Sequence, residues 1–177
     1  MNSPALPTVE LHRLSGSTDE ADIVQRIYDA APTYSWVTTG APSRPGSALK
    51  TFGMLPDGCA ADAKHMYLMF CDDEPVGFTD VIRGYPTDDC AYVGLFVLIE
   101  SQHGRGIGGR AFRNLETLIT KWPGVRRIRL TVIEANVPAL GFWNAMGFTR
   151  TGEFEPYESG EVRSRHVLFE KPLATLE

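Results

Sequence analysis

Long apolar runs are missing from this 177-residue sequence. A membrane-spanning helix needs roughly 20 consecutive apolar residues, and no stretch approaches that. The opening MNSPALPTVE has no basic segment leading into an apolar one, so the sequence predicts no secretory leader and a cytoplasmic setting. Cysteine is scarce. Cys59, Cys71 and Cys90 are an odd number at wide spacing, with no Cys-x-x-Cys pair. That pattern is neither a disulfide framework nor a zinc-ligand set, and no metal is expected. Cys71 and Cys90 stand beside Asp residues, which raise a thiol pKa, so a cysteine nucleophile is not expected either.

Positive charge is also short. Lys and Arg number 17 against 22 Asp and Glu, a net charge of -5. Phosphate-backbone binding needs a basic footprint, so no nucleic-acid partner is expected. The one basic cluster, Arg126, Arg127 and Arg129, lies in an alternating run and fits a solvated strand face.

What remains is the composition of an ordinary globular domain, 43% hydrophobic and 22% charged, long enough to bury one core. No repeat or linker divides the chain, so residues 1–177 are expected to form one domain. Val9, Leu11 and Leu14 open a strand. Ser17 stands three residues before Glu20, a capping-box spacing, and Ile23, Val24, Ile27, Tyr28 and Ala31 follow at helical intervals. This predicts a helix over 18–31, ended by Pro32. Ala41 to Gly46 has loop composition, and Ala48, Leu49, Phe52 and Leu55 suggest a short helix.

Strands are expected over 65–70 and 76–82, joined by an Asp72-Asp73-Glu74-Pro75 turn, and again over 91–98. A glycine-rich loop at 104–109 leads into a helix through Ala111, Leu115 and Ile119. A strand at 128–132, a helix at 138–146 with Pro in its first turn, and strands at 148–156 and 162–169 complete the chain. Strands that alternate with only two late helices indicate an α+β or mixed α/β fold rather than a regular βαβ array.

The glycine loop carries the first functional signal. Gly104-Arg105-Gly106-Ile107-Gly108-Gly109 places four glycines in six positions between a strand and a helix. Glycine lets backbone N–H groups turn to a ligand without a Cβ in the way. The helix N-terminus behind adds unsatisfied donors and partial positive charge. Together they suit a phosphate or pyrophosphate. A dinucleotide fold is disfavoured, because its glycine motif opens the first strand–helix unit and here only about seventy residues follow. No Gly-Lys-Ser/Thr follows, which excludes a P-loop.

The segment LFVLIESQHGRGIGGR resembles the acyl-CoA signature of the GNAT superfamily of N-acyltransferases, Arg/Gln-x-x-Gly-x-Gly/Ala between a strand and a helix. His103 stands at its first position, where the family usually has Arg or Gln, and can still donate a hydrogen bond. Further on, Asn136-Val137-Pro138-Ala139-Leu140-Gly141-Phe142-Trp143-Asn144-Ala145-Met146-Gly147-Phe148 is similar to the family's Asn-x-x-Ala-x-x-Phe-Tyr/Trp-x-x-x-Gly-Phe element, in the family's order. The element order matches over roughly residues 8–173, most closely over 91–148.

The resemblance implies a central, mostly antiparallel sheet of about seven strands, splayed between the fourth and fifth, with about four flanking helices. It implies acetyl-CoA as acyl donor and a small-molecule or peptide amine as acceptor. It places Phe96, Val97 and Leu98 against pantetheine, with a backbone N–H near Leu98 on the thioester carbonyl. His103, Gly104, Arg105, Gly106, Ile107, Gly108 and Gly109 would hold the pyrophosphate. Asn136, Phe142 and Trp143 would lie beside the pantetheine arm; as plain residues they also read as a helix cap and core aromatics.

The proton carriers are less defined. Many relatives have a tyrosine acid at position 143; Trp143 can only donate a hydrogen bond, which leaves Tyr157 or water to protonate the thiolate. Many relatives carry a glutamate base on the strand before the loop, but Cys90 to Leu95 contains no carboxylate. Asp80, an acid inside an apolar strand, is the first candidate base, or else a hydrogen-bonded structural residue. Tyr92 is the second and Glu134 the third.

The acceptor side is expected from residues 28–63, 80–92 and 155–163. Tyr28, Tyr34, Trp36, Phe52, Tyr85 and Tyr157 there supply aromatics, and Asp57, Asp62, Asp88 and Asp89 supply negative charge. That mixture suggests a cationic acceptor. Two other functions stay open: an acyl-CoA-binding sensor that has lost turnover, and acetylation of protein lysines or N-termini. A homodimer is left open as well.

Overall fold

The computed structural model describes residues 7–174. Seven strands form one sheet in the order β1-β2-β3-β4-β5-β7-β6. They are β1 (Val9–Arg13), β2 (Lys64–Cys71), β3 (Glu74–Arg83), β4 (Cys90–Leu98), β5 (Arg127–Ile133), β6 (Thr149–Ser159) and β7 (Val162–Pro172). Every neighbouring pair is antiparallel except β4 and β5. A parallel pair needs a crossover, and helix α4 (Ile107–Ile119) supplies it. The other helices are α1 (Thr18–Asp29), α2 (Pro32–Thr39), α3 (Ser47–Gly53) and α5 (Val137–Ala145).

The capping box reads through from sequence to structure. Ser17 Oγ accepts from Glu20 N at 3.3 Å, and the Glu20 carboxylate accepts from Ser17 N at 2.9 Å. α1 then buries Ala21, Val24, Ile27 and Tyr28. α1 ends before Pro32, as expected, and Pro32 also occupies the first turn of α2, a position where its missing N–H costs nothing. Among the described residues five α-helices flank the sheet, where about four were expected. α2 buries only Ser35, so it has no apolar stripe for a periodicity reading to find.

Two cores cover the two faces of the sheet. α1 and α3 pack on Leu68, Phe78 and Val97. α4 and α5 pack on Ala91, Val93, Ile128 and Leu130 through Phe112, Leu115 and Trp143.

β4 changes face midway. Ala91 and Val93 point to the α4 side, whereas Leu95 and Val97 point to the α1 side. Strict alternation would keep all four together. The cause is a bulge: Asp80 pairs with Leu95 and Val81 with Val93, so Gly94 has no partner. A bulge bends the strand that carries it. β4 accordingly pairs with β5 only from Cys90 to Val93, and beyond that the two strands part. This is the splay expected between the fourth and fifth strands.

Candidate active site

The parting of β4 and β5 opens a cleft in two joined halves. One, of ≈ 850 Å³, runs over the glycine loop. The other, of ≈ 500 Å³, lies over Asp80, Tyr92 and Gly94. Tyr34, Phe96, Asn136, Ala139 and Trp143 border both.

The edge of β4 facing the gap carries free backbone. Ile99 N donates to Val76 O on β3 at 2.9 Å. Successive amides alternate between edges, so the Phe96 and Leu98 amides turn the other way, toward β5 and the cleft. The Leu98 carbonyl on that edge meets His103 Nε2 at 3.0 Å. His103, the departure from the family pattern, thus braces the loop against β4.

Below it, Gly104 and Gly106 have φ of 72° and 75°, backbone that favours glycine. A Cβ at either would meet nothing within 4 Å: these glycines serve an open surface rather than a tight packing contact. Gly106 caps α4, and the first-turn amides of Ile107, Gly108 and Gly109 have no intrahelical acceptor. Arg113, one turn further on, also borders this half. Open glycine backbone, a helix N-terminus and an arginine suit a pyrophosphate, so these residues fit coenzyme A.

Eleven of the thirteen residues expected to contact the donor line this half: Phe96, Val97, Leu98, His103, Gly104, Gly106, Gly108, Gly109, Asn136, Phe142 and Trp143. Arg105 and Ile107 do not. Arg105 is turned onto Gln102 Oε1 at 2.7 Å, and the Ile107 side chain is fully buried in the core. Asn136 keeps both suggested roles open, since Oδ1 accepts from Ala139 N at 3.3 Å to cap α5 while the residue borders the cleft. Trp143 is core and wall together. Its ring meets Phe96, Phe112, Phe142 and Phe148 at centroid distances of 5.4, 5.2, 4.9 and 5.2 Å.

The four candidate proton carriers separate clearly. Asp80 Oδ2 lies 2.9 Å from Lys64 Nζ. The same ammonium donates to Thr51 O at 2.7 Å and Met54 O at 2.6 Å. Asp80 Oδ1 is buried without a hydrogen-bond partner. Burial pushes the carboxyl above its ordinary pKa, against the pull of Lys64 and the Leu95 and Gly94 backbone. The Tyr92 hydroxyl is 2.9 Å from Thr131 Oγ1, and burial raises its pKa. Tyr157 donates to Thr38 O at 2.7 Å. All three border the half over Asp80, the side on which the acceptor is expected. Glu134 borders neither half; Arg165 holds both its oxygens, at 2.6 and 2.8 Å, and keeps its pKa below the usual value.

The acceptor half is aromatic and uncharged apart from Asp80. Tyr34, Tyr92, Phe96, Trp143, Tyr157 and His166 line it with Met54, Leu55 and Ile82. The expected acids do not: Asp57, Asp62, Asp88 and Asp89 lie outside it, and Asp89 is held by Thr87 and Arg127. Tyr28 and Trp36 also lie outside this half: Tyr28 is buried against Thr51 and Trp36 is exposed.

A bridge between α2 and the β6–β7 hairpin borders this half. Tyr157 on β6 holds α2 through Thr38, and at the hairpin tip Glu161 N meets Thr39 O at 3.4 Å. Gly160 sits so close to Thr39 O that no Cβ fits. The residues that sequence reasoning missed belong here. Thr38 sits in the unforeseen α2, and His166 lies in a run, Val162 to Phe169, that reads only as strand.

The sequence matches the acetyltransferase (GNAT) family over residues 24–148. The chain belongs to that family. Among curated protein sequences none matches it. An acetyltransferase from Thermus thermophilus is 25% identical, with 95% of this chain and 99% of that one covered at a TM-score of 0.70. An acetyltransferase from Salmonella typhimurium that modifies the N-terminal serine of ribosomal protein L7/L12 is 16% identical, covering 94% and 96% at 0.73. Spermidine N-acetyltransferase from Vibrio cholerae, solved with CoA and spermine, is 12% identical, covering 93% and 95% at 0.70. The last two share the fold alone.

Proposed function

We propose that this protein transfers an acetyl group from acetyl-CoA to an amine of a small molecule, by direct attack of the amine on the thioester while both are bound. The observation that carries this reading is the continuity of the cleft. A coenzyme-A cradle and an aromatic acceptor chamber meet at Phe96 and Trp143, where the open edge of β4 offers its Phe96 and Leu98 amides. An amide on that edge would hold the thioester carbonyl as negative charge builds on its oxygen. Holding amine and thioester together supplies the rest of the rate.

The bridge between α2 and the β6–β7 hairpin adds Thr38 and Tyr157 to the wall of this half, which supports a small acceptor over a protein side chain or N-terminus. The uncharged aromatic lining favours an amine with an apolar or aromatic body over a polycation.

A second reading, a CoA-binding module without turnover, draws on Trp143 and on the engagement of every carboxylate proposed above. The test begins with binding. CoA at one hundred times its Kd should stabilise the fold by about 2.7 kcal/mol and raise Tm. No shift at millimolar CoA removes both readings; a shift without thiol release to any amine leaves the second.

A further inference from the structure

Five ionisable side chains border the acceptor half of the cleft: Tyr34, Asp80, Tyr92, Tyr157 and His166. An amine that attacks a thioester must lose a proton, so one of them or water must take it. Asp80 spends one oxygen on Lys64, with the other buried. The Tyr92 and Tyr157 hydroxyls are bonded to Thr131 and Thr38. Burial drives the Tyr34 phenol well above its ordinary pKa, which keeps it protonated.

His166 differs. It lies on β7, opposite Ile133 of β5 and Glu155 of β6, and its ring packs against Tyr157 at 4.6 Å. That contact fixes the ring. Yet neither ring nitrogen is among the buried polar atoms that lack a partner, and neither bonds to another described residue. The nitrogens are thus free of protein partners on a residue that lines this half of the cleft.

We propose that His166 is the group that accepts the proton of the acceptor amine. This rests on the acetyl transfer proposed above. The amine nitrogen bonds to the acetyl carbon, the carbon–sulfur bond breaks, and its electron pair leaves with the CoA sulfur. The nitrogen's proton passes to the imidazole and on to solvent, and the thiolate takes a proton from water. A free thiol has a pKa near ~8.5, so that last step needs no dedicated acid, consistent with Trp143.

The surroundings of His166 support the role. Burial lowers its pKa below the ordinary histidine value, with Glu155 pulling the other way. That direction favours the neutral imidazole, the form that can accept a proton. Tyr157 on β6 touches it, Tyr92 on β4, Tyr34 on α2 and Asp80 on β3 line the same half, and the neighbouring Arg165 is paired with Glu134.

The test compares wild type with His166→Gln, using an amine that the wild type acetylates. The expected kcat falls about 10²–10⁴-fold. The amine KM and the CoA affinity change little. Wild-type kcat/KM loses activity on the acid side of neutrality, and the variant loses that dependence. Added imidazole restores part of the rate. A folded variant with wild-type kcat, or with the acid limb intact, overturns the proposal. If the variant does not fold, diethyl pyrocarbonate on the wild type decides. Inactivation must track labelling of His166 and be slowed by the amine; full activity with His166 labelled overturns the role. A wild type that acetylates no amine removes the parent reading, and this one with it.

Discussion

Lys64 Nζ and Asp80 Oδ2 form an ion pair at 2.9 Å with both side chains more than nine-tenths buried. The pair links β2 to β3, and through the Thr51 and Met54 carbonyls it ties the end of α3 to the sheet. Asp80 is thus a brace under the acceptor chamber. Removing one partner leaves a buried charge unpaired, which typically costs about 3–5 kcal/mol. Asp80→Asn and Lys64→Met are each expected to lose stability on that scale in urea unfolding. The double variant Lys64→Met with Asp80→Leu should recover much of it. An Asp80→Asn protein that keeps its stability but loses about 10²–10⁴-fold in rate would instead make Asp80 the base.

Gly94 is the partnerless residue of the β4 bulge, and a Cβ there would run into the Asp80 carboxylate. Gly94→Ala is expected to cost about 1–3 kcal/mol, the range for overpacking, and to weaken CoA binding by reshaping the open edge. Wild-type stability and CoA affinity in this variant would show that the bulge does not depend on glycine.

Tyr157→Phe removes the bond to Thr38 O while keeping the ring on His166. The fold should lose about 0.5–1.5 kcal/mol. Because the bridge loosens, the amine KM should rise while kcat and CoA affinity hold. A drop in kcat at constant KM would assign Tyr157 to proton transfer.

Buried tyrosines set the alkaline limit. Burial pushes Tyr28 up to about 12, and raises Tyr34 and Tyr92 in the same direction. The unfolded chain loses these protons near 10 while the folded one keeps them, so the folded state binds more protons above that pH. Their contribution is complete below pH 10 and is lost as pH rises toward the folded values. Denaturation midpoints should fall steeply above pH 10, and less steeply in Tyr28→Phe. A flat profile would contradict the burial of these phenols.

The parts of this molecule that were legible in its sequence are those where backbone or periodicity carries the signal. Ser17 and Glu20 marked the start of α1, and the glycines at 104–109 marked the loop that opens α4 and borders the cleft. Leu95 and Val97 changed face unannounced, because a bulge adds a residue without altering composition. α2 stayed hidden behind Pro32, which both stops and starts helices. The Lys64–Asp80 brace joins residues sixteen positions apart; the β2–β3 register, with Lys64 opposite Ile82 and Asp80 opposite Met66, makes them diagonal neighbours. His166 looked like one more alternating strand residue until Tyr157 and the cleft were placed around it.

Amine-dependent release of CoA thiol from acetyl-CoA measures acetyl transfer within this cleft. The wild type should release thiol at a rate that saturates in both acetyl-CoA and a small amine with an aromatic or apolar body. Gly106→Asp places a carboxylate where the pyrophosphate would lie. It should abolish that release, and CoA binding in isothermal titration, while leaving the folded circular-dichroism spectrum. Thiol release that ignores the amine, or a folded Gly106→Asp protein with wild-type CoA affinity and rate, would contradict the account.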